Sequence, residues 1–223
     1  MITAIIPAAG CGQRMKNKTP KQYLKIADKT ILEWSLQEFI SHPKIDKIII
    51  AINKNDNFFK TTNLINIKKI TTCIGGDSRF DSVYNAMRTI KNEDDNYFVI
   101  VHDAARPLFN KKDLNNLLEA KNDSGAILVA NINETVKKVI NGKIQKTLNR
   151  DNLYRALTPQ FFKLSLLKKA FENAKNKKIN ITDESMAVEN LGVNPAIIIG
   201  DANNIKITTK EDLDYAKELL ISS

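Results

Sequence analysis

The sequence has few of the residues that build disulfide frameworks, zinc sites and aromatic binding surfaces. Its 223 residues include two cysteines, Cys11 and Cys73, and two histidines, and aromatic residues make up 7% of the chain. So few widely separated cysteines and histidines exclude a disulfide framework and a Cys/His zinc site, and we expect reduced thiols. The low aromatic content, without regular spacing, argues against a surface that stacks nucleic-acid bases.

Long hydrophobic runs are also missing. No apolar stretch approaches the roughly 18 residues that predict a membrane-spanning helix, and the first residues carry no basic leader. We therefore expect a cytoplasmic protein without a membrane partner. A chain with 43% hydrophobic and 26% charged residues suits one globular domain spanning residues 1–223.

The charge is biased towards the positive sign. Against 25 Asp and Glu there are 34 Lys and Arg, a formal net charge of +9. Such a surplus suits nucleic acid, an anionic surface or small phosphorylated ligands. Because the lysines are scattered, we favour a solvated surface. A basic nucleic-acid-binding module stays an alternative, and steep salt dependence of nucleic-acid binding would support it.

Short β-branched runs alternate with amphipathic helical patterns, as in βα units around a mainly parallel sheet. Strands are predicted at residues 2–6, 47–52, 69–74, 97–102, 126–130 and 196–199. Helices are predicted at residues 31–40, 78–90, 111–121 and 213–220, the last after a capping-box-like start at Thr209. These patterns predict an α/β fold, a three-layer sandwich.

One segment departs from this alternation. Residues 135–140 and 143–148 are strand-like runs joined by Asn141-Gly142, a strong signal for a tight hairpin. An isolated two-stranded hairpin is marginally stable in water. We therefore expect an arm at about residues 133–150 that packs against a second subunit.

A run of small residues follows the first predicted strand. Residues 7–15 read PAAGCGQRM and residues 20–23 read PKQY. Glycines let backbone N–H groups approach phosphate oxygens, and Arg14 and Lys21 can neutralise the phosphate charge. A third glycine for dinucleotide binding and the Gly-Lys-Ser/Thr of a P-loop are both missing. A plain glycine turn is the alternative, but the nearby cations favour phosphate binding.

Two further segments follow predicted strands. Residues 101–107 read VHDAARP, and in open α/β sheets ligands bind beyond the carboxyl ends of strands. Asp103 is thus a candidate ligand of a divalent cation, or else a turn cap, and His102 is expected to support the strand end. Gly75 and Gly76 permit close approach of a base or sugar, with Ser82 as a candidate ligand contact.

These segments, with three later ones, stand in the order found in one enzyme family. The later segments are RALTPQF at 155–161, TDESMAVE at 182–189 and NIKIT at 204–208. The sequence resembles the 2-C-methyl-D-erythritol 4-phosphate cytidylyltransferase family over nearly its whole length. That resemblance implies a Rossmann-like, magnesium-dependent homodimer. Its activity would be transfer of CMP from CTP to methylerythritol 4-phosphate, with release of pyrophosphate, in the non-mevalonate route to isoprenoid precursors.

The resemblance also implies a role for individual residues. Arg14 and Lys21 would stabilise the transition state at the α-phosphate, and Lys206 would position the attacking phosphate. With Arg150, these make up the implied catalytic residues. The nucleotide would contact Pro7, Ala8, Ala9, Gly10, Gly12, Gly76, Asp77, Ser82, Asp103 and Ala104.

On the acceptor side the resemblance implies a second set of contacts. The sugar phosphate would contact Asp103, Arg106, Thr135, Arg150, Thr158, Thr182 and Lys206. Thr135 and Arg150 would reach the neighbouring subunit's site from the arm, and Asp103 would hold Mg²⁺. Apart from the resemblance, Asp201 stands just before Lys206 and is a further candidate metal ligand. The nearest rival is a ribitol-5-phosphate cytidylyltransferase, because discrimination between sugar phosphates rests on a few pocket contacts.

Overall fold

The computed structural model describes residues 1–10, 19–91, 94–120 and 122–222. The strands in these ranges are β1 Ile2–Pro7, β2 Lys25–Ile26, β3 Lys29–Thr30, β4 Lys47–Ile52, β5 Ile70–Ile74, β6 Phe98–Val101, β7 Ala126–Asn131, β8 Lys137–Ile140, β9 Lys143–Thr147, β10 Tyr154–Lys163 and β11 Ala196–Ile199. The α-helices are α1 Ile31–Ser41, α2 Arg79–Arg88, α3 Lys111–Glu119, α4 Leu164–Asn176, α5 Glu184–Glu189 and α6 Lys210–Ile221.

A seven-stranded sheet forms the centre of the fold, in the order β11-β7-β10-β6-β1-β4-β5. β1 pairs in parallel with β4 and β6, β4 with β5, and β11 with β7. β10 runs antiparallel between β6 and β7. The predicted mainly parallel sheet is therefore confirmed, with one antiparallel strand inside it.

Helices cover both faces of this sheet. On one face α1 and α3 pack their apolar side chains, such as Leu36, Phe39 and Leu117, against the sheet. On the other face α2 and α4 do the same, with Met87 and Phe171 at the contact. Amphipathic helices bury one apolar stripe in this way, and the predicted three-layer sandwich is confirmed.

The C-terminal helix α6 is anchored beside the ends of the central strands. Thr209 caps it, accepting a hydrogen bond from the Asp212 backbone N–H, and the Asp212 carboxylate completes a capping box. Ile207 is fully buried in a small core with Ala105 and Ala216. This packing brings the segment before α6 next to the loop that follows β6.

The hairpin arm is a separate two-stranded sheet of β8 and β9. Asn141 and Gly142 join the strands with φ of 50° and 75°, the left-handed values that tight hairpin turns require. Every residue of β8 and β9 is exposed in the single chain. The predicted hairpin is confirmed.

Five of these strands and α-helices were not predicted: the short strands β2 and β3, the strand β10, and the helices α4 and α5. β10 contains Pro159, which lacks a backbone N–H and argues against a central strand. The strand tolerates this proline because its pairing with β7 shifts between Ala156 and Gln160. α4 buries Leu164, Leu167, Phe171 and Ala174, a helical spacing already visible in the sequence. Within the described ranges, no helix is both long and apolar enough to cross a membrane.

Candidate active site

A cavity of about 590 Å³ lies at the carboxyl ends of β1, β5 and β6. Several segments that are distant in sequence meet there, as expected for an open α/β sheet. The predicted site residues that line it are Pro7, Ala8, Ala9, Gly10, Lys21, Gly76, Asp77, Ser82, Asp103, Ala104 and Lys206. Gly12 and Arg14 lie outside the described residues, as does Cys11.

The loop after β1 is held close to the sheet. The Ala8 backbone N–H donates to the Ala51 carbonyl at 2.8 Å, which prolongs the pairing of β1 with β4. The buried Gln22 side chain donates to the Ala8 carbonyl at 2.7 Å and to the Gly10 carbonyl at 3.1 Å. Because its side chain binds both of these carbonyls, Gln22 supports the start of the predicted phosphate-binding loop.

Lys21 begins a short 3-10 helix, Lys21–Tyr23, at the edge of the cavity. Its ammonium group donates to the Ile207 carbonyl at 2.7 Å. Ile207 in turn donates its backbone N–H to the Ala105 carbonyl at 2.8 Å. Lys21 is thereby placed beside Lys206 and the Asp103–Arg106 turn, which the sequence separates widely.

The loop after β5 needs its glycines because two segments approach closely. A Cβ on Gly75 would lie 2.5 Å from the Ala9 Cβ, and one on Gly76 would lie 2.2 Å from the Asp81 Cβ. The Gly76 backbone N–H donates to the Ser82 hydroxyl at 3.1 Å, and that hydroxyl donates to the Ser78 carbonyl at 2.9 Å. Ser82 therefore shapes the loop, while Asp77 lies exposed at the cavity.

Asp103 lies at the centre of a cluster of cations. Its Oδ1 accepts from the Arg79 Nε at 2.9 Å, and its Oδ2 accepts from the Lys206 Nζ at 3.0 Å and the Arg106 Nε at 3.2 Å. Burial acts to raise the pKa of the Asp103 carboxyl, but Arg79, Lys206 and Arg106 outweigh it and hold that pKa well below its usual range. Asp103 is thus ionised at physiological pH.

Arg79 also binds a second carboxylate. Its Nη1 and Nη2 donate to the two oxygens of Glu184 at 2.6 and 3.0 Å, a bidentate pair. The Glu184 side chain is fully buried, and a quarter of the Arg79 side chain is exposed in the cavity. Burial acts to lower the pKa of Arg79, but the two carboxylates raise it above its ordinary value.

His102 supports the turn that carries Asp103. Its ring contacts the rings of Phe39 and Phe109, and its nitrogens contact the Thr158 hydroxyl at 3.1 Å and the Arg106 carbonyl at 3.3 Å. The Asp103 backbone N–H donates to the same Thr158 hydroxyl at 3.1 Å. Burial lowers the pKa of His102 to about 3, so the ring is neutral and serves as a hydrogen-bonding support.

The other residues predicted to contact the acceptor lie outside the lining of the cavity. Arg106 donates to the Asn204 carbonyl at 2.6 Å, and Thr158 is buried behind the Asp103 turn. The exposed Thr182 hydroxyl contacts the Met186 sulfur at 3.4 Å. Thr135 and Arg150 lie exposed on the arm, where Arg150 donates to the Asn133 carbonyl. These five residues do not line the cavity of this single chain.

The donor set at Asp103 allows a limited interaction with a metal. A carboxylate offers about four lone-pair sites, and three are taken by cationic N–H groups. Over the four described ranges, no group of three or more His, Cys, Asp and Glu side chains converges on a metal position. The remaining site on Oδ1 fits Mg²⁺ held mainly by substrate phosphates and water. Asp201 lines a smaller cavity and binds Asn203, so it does not join Asp103.

Two side chains important to this geometry were not identified from the sequence. Gln22 was noted only as part of a motif, and Arg79 was not considered. A local signal existed for Arg79, because a cation in the first turn of a helix is disfavoured by the helix dipole. Its carboxylate partners lie 24 and 105 residues away, which no local pattern reveals.

Comparison with known proteins agrees with the fold. The family model for 2-C-methyl-D-erythritol 4-phosphate cytidylyltransferase matches residues 2–222. An enzyme of that name from Haemophilus ducreyi is 44% identical over 222 residues, covering 100% of this chain and 97% of the relative. One from Wigglesworthia glossinidia brevipalpis is 47% identical, covering 96% and 93%.

Solved structures lead to the same result. The crystal structure of the Francisella tularensis enzyme of that name superimposes with a TM-score of 0.83 at 41% identity, covering 97% of this chain and 98% of that one. Because both the family model and these relatives cover nearly the whole chain, the protein belongs to the 2-C-methyl-D-erythritol 4-phosphate cytidylyltransferase family of nucleotidyltransferases.

Proposed function

We propose that this protein transfers the cytidylyl group of CTP to 2-C-methyl-D-erythritol 4-phosphate and releases pyrophosphate. A phosphate oxygen of the acceptor attacks the α-phosphorus of CTP, and the bond from that phosphorus to the bridging oxygen of pyrophosphate breaks. The observation that carries the proposal is a single cavity in which a glycine loop meets Lys21, Lys206 and Asp103. Family membership supports the choice of nucleotide and acceptor.

The residue types of the cavity suit this reaction. A phosphate monoester is already ionised at neutral pH, so the attacking oxygen needs no general base. The main task is to align two polyanions that repel each other and to offset the charge that develops on the leaving group. Lys21 lies beside the loop proposed to bind the triphosphate, and Lys206 lies beside Asp103 and Arg106, where the acceptor phosphate would bind.

A divalent cation belongs to the proposal. Asp103 would hold Mg²⁺ together with phosphate oxygens of the substrate. When bound, the ion would withdraw charge from the phosphates, as it does in other phosphoryl transfers. Removal of divalent ions with EDTA should abolish turnover, and added Mg²⁺ should restore it.

We also propose a homodimer in which the arm contacts the second subunit. Val139, Ile140 and Ile144 on the arm are 47–66% exposed, although a hairpin alone is marginally stable. Ile197 and Ile199 on the edge strand β11 are also about half exposed. A second copy that covers both surfaces would remove this apolar area from water. It would also bring Arg150 to the partner's cavity.

A cytoplasmic location completes the proposal. Cys73 is a free thiol, as expected in a reducing compartment, and the nucleotide substrate is intracellular. Fractionation of cells into soluble cytoplasm, membranes and secreted material tests this point. Recovery outside the soluble cytoplasmic fraction would contradict it.

Pyrophosphate release tests the reaction directly. The purified protein would be mixed with Mg²⁺, CTP and either 2-C-methyl-D-erythritol 4-phosphate or ribitol 5-phosphate, with UTP and ATP as nucleotide controls. We expect release with CTP and the branched tetritol phosphate. Release with ribitol phosphate alone would assign the rival acceptor, and no release with either would overturn the proposal.

A further inference from the structure

Arg79 joins three segments that are distant from one another in sequence. It is the first residue of α2, directly after the loop that carries Gly76 and Asp77. Its guanidinium reaches Asp103 after β6 and Glu184 at the start of α5. A single side chain thus connects the loop proposed for the nucleotide with the region proposed for the acceptor.

The two oxygens of Asp103 have different partners. Oδ1 binds Arg79, whereas Oδ2 is shared by Lys206 and Arg106. The Asp103 side chain is only 7% exposed, so water can replace a lost cation poorly, whereas the Lys206 side chain is 36% exposed and open to the cavity. Lys206 is therefore the member of the cluster best placed to exchange its carboxylate for an incoming anion.

We infer that Arg79 is a positioning residue that stabilises the Asp103 charge and so lets Lys206 turn from Asp103 to the acceptor phosphate. The inference rests on the proposed function for the identity of that phosphate. When Lys206 leaves, Arg79 and Arg106 still neutralise Asp103. Without Arg79, fewer cations share this buried carboxylate, and Lys206 is held more strongly by it.

The nucleotide loop has supports of its own. Ser78 caps α2 by accepting from the Asp81 backbone N–H at 3.0 Å, and Ser82 binds the Gly76 N–H. Loss of Arg79 should therefore weaken binding of the acceptor more than binding of CTP. A purely structural role would instead lower the folded fraction and leave both KM values unchanged.

The test removes the buried ion pair as a unit. Arg79→Met alone would leave the Glu184 charge buried without its cation, which is strongly destabilising, whereas replacing both partners by apolar residues is often tolerated. The main variant is therefore Arg79→Met combined with Glu184→Met. Arg88→Met, an exposed arginine on the same helix, is the matched control.

Steady-state kinetics provide the first readout. We expect the double variant to raise the KM for methylerythritol 4-phosphate about tenfold or more, with the KM for CTP changed less than about threefold, corresponding to loss of roughly one stabilising interaction. Arg88→Met should match the wild type. Unchanged acceptor KM in the folded double variant would overturn the inference.

Inorganic phosphate provides a readout that is independent of turnover. Calorimetric titration should give phosphate binding to the wild type and about tenfold weaker binding to the double variant. Equal binding, or no binding to the wild type, would overturn the inference. A wild type that binds phosphate but releases no pyrophosphate would instead contradict the proposed function.

A second variant covers the case in which the double variant does not fold. Arg79→Lys keeps a positive charge but cannot reproduce the fork that binds Asp103 and both Glu184 oxygens together. We expect this variant to shift acceptor KM and phosphate affinity several-fold in the same direction. Wild-type values for both would overturn the inference.

Discussion

The ammonium group of Lys21 lies 2.7 Å from the backbone carbonyl of Ile207, 186 residues further along the chain. This contact joins the segment after the first glycine loop to the segment that carries Lys206. It orients a cation towards the cavity in advance, so no reorganisation is needed when charge develops on the phosphates.

Replacement of Lys21 by alanine should therefore lower kcat by about 10²-fold, the usual cost of losing one preorganised transition-state donor. Pyrophosphate release at saturating CTP and acceptor measures the effect. Lys25→Ala, an exposed lysine four residues further on, is the matched control and should keep normal turnover. A Lys21→Ala variant with near-normal kcat would refute the role assigned to this residue.

Asp103→Asn should destabilise the fold. The substitution leaves Arg79, Arg106 and Lys206 around a neutral amide, and loss of one partner from a buried ionic cluster costs about 3–5 kcal/mol. Urea denaturation measures the free energy of unfolding. Asp77→Asn, at an exposed position of the same cavity, should leave that free energy almost unchanged. Equal stability of the two variants would contradict this account of the cluster.

Glu33 is part of the capping box of α1, and its contribution to stability should depend on pH. Burial acts to raise the pKa of its carboxyl, but hydrogen bonds from Thr30 and from the Asn63 backbone N–H outweigh burial and lower it. Because the pKa of Glu33 is lower in the folded state than in the unfolded state, its ionised carboxylate stabilises the fold at pH values above the unfolded-state pKa. This stabilisation is lost as pH falls through the folded-state pKa.

Glu33→Gln, which resembles the protonated acid, should therefore cost about 1 kcal/mol at pH 7, in the range of lost helix caps. The difference should shrink as pH falls below the ordinary pKa of a glutamate carboxyl, about 4.3, and should vanish once pH is below the lowered pKa of Glu33 in the folded state. Denaturation curves at several pH values measure it. An equal destabilisation of the variant at pH 7 and at pH 3.5 would contradict the prediction.

Gly76→Ala should weaken CTP binding. The added Cβ would lie 2.2 Å from the Asp81 Cβ and 3.1 Å from its carbonyl carbon, so the loop must move. Gly192→Ala is a useful control, because its φ of 78° strains an alanine but nothing lies within 4 Å of the added atom. We expect the control to lower stability by about 1–2 kcal/mol and leave the KM for CTP unchanged. A normal KM for CTP in Gly76→Ala would count against this loop as a nucleotide contact.

Ile144→Asp tests the proposed dimer. Ile144 lies on the arm and is 66% exposed in one chain, so a charge there should disrupt only a contact with another subunit. Sedimentation should give a dimer for the wild type and a smaller species for the variant, with reduced turnover. Ile65→Asp, at an exposed isoleucine outside the arm, should remain dimeric. A monomeric, fully active wild type would refute the dimer.

Local patterns predicted those parts of the fold that local physics determines. Asn141-Gly142 predicted the hairpin because two consecutive left-handed residues are needed there, and the structure confirms it. β10 was missed because Pro159 argues against a central strand, and only the pairing shift with β7 shows how the proline is accommodated.

The candidate site divides in the same way. The segments that carry Gly76 and Asp103 each follow a predicted strand, and ligands of open α/β sheets bind beyond the carboxyl ends of the strands. The contacts of Arg79 could not be predicted, because they depend on how α2, β6 and α5 pack together. Sequence patterns therefore indicated the edge of the sheet where the cavity lies, but they did not identify the side chain that links α2, β6 and α5.

The cations around the cavity have a consequence for inhibitor design. Lys206 already forms an ion pair with Asp103. A neutral compound cannot replace that carboxylate, so it gains little binding energy from Lys206. A compound that competes with Asp103 for Lys206 needs an anionic group of its own. Charged groups enter the hydrocarbon core of a membrane poorly. The anionic group that improves binding in this cavity would therefore also slow the entry of the compound into cells. Useful inhibitors would then be charged molecules carried by transporters, or neutral precursors unmasked inside the cell.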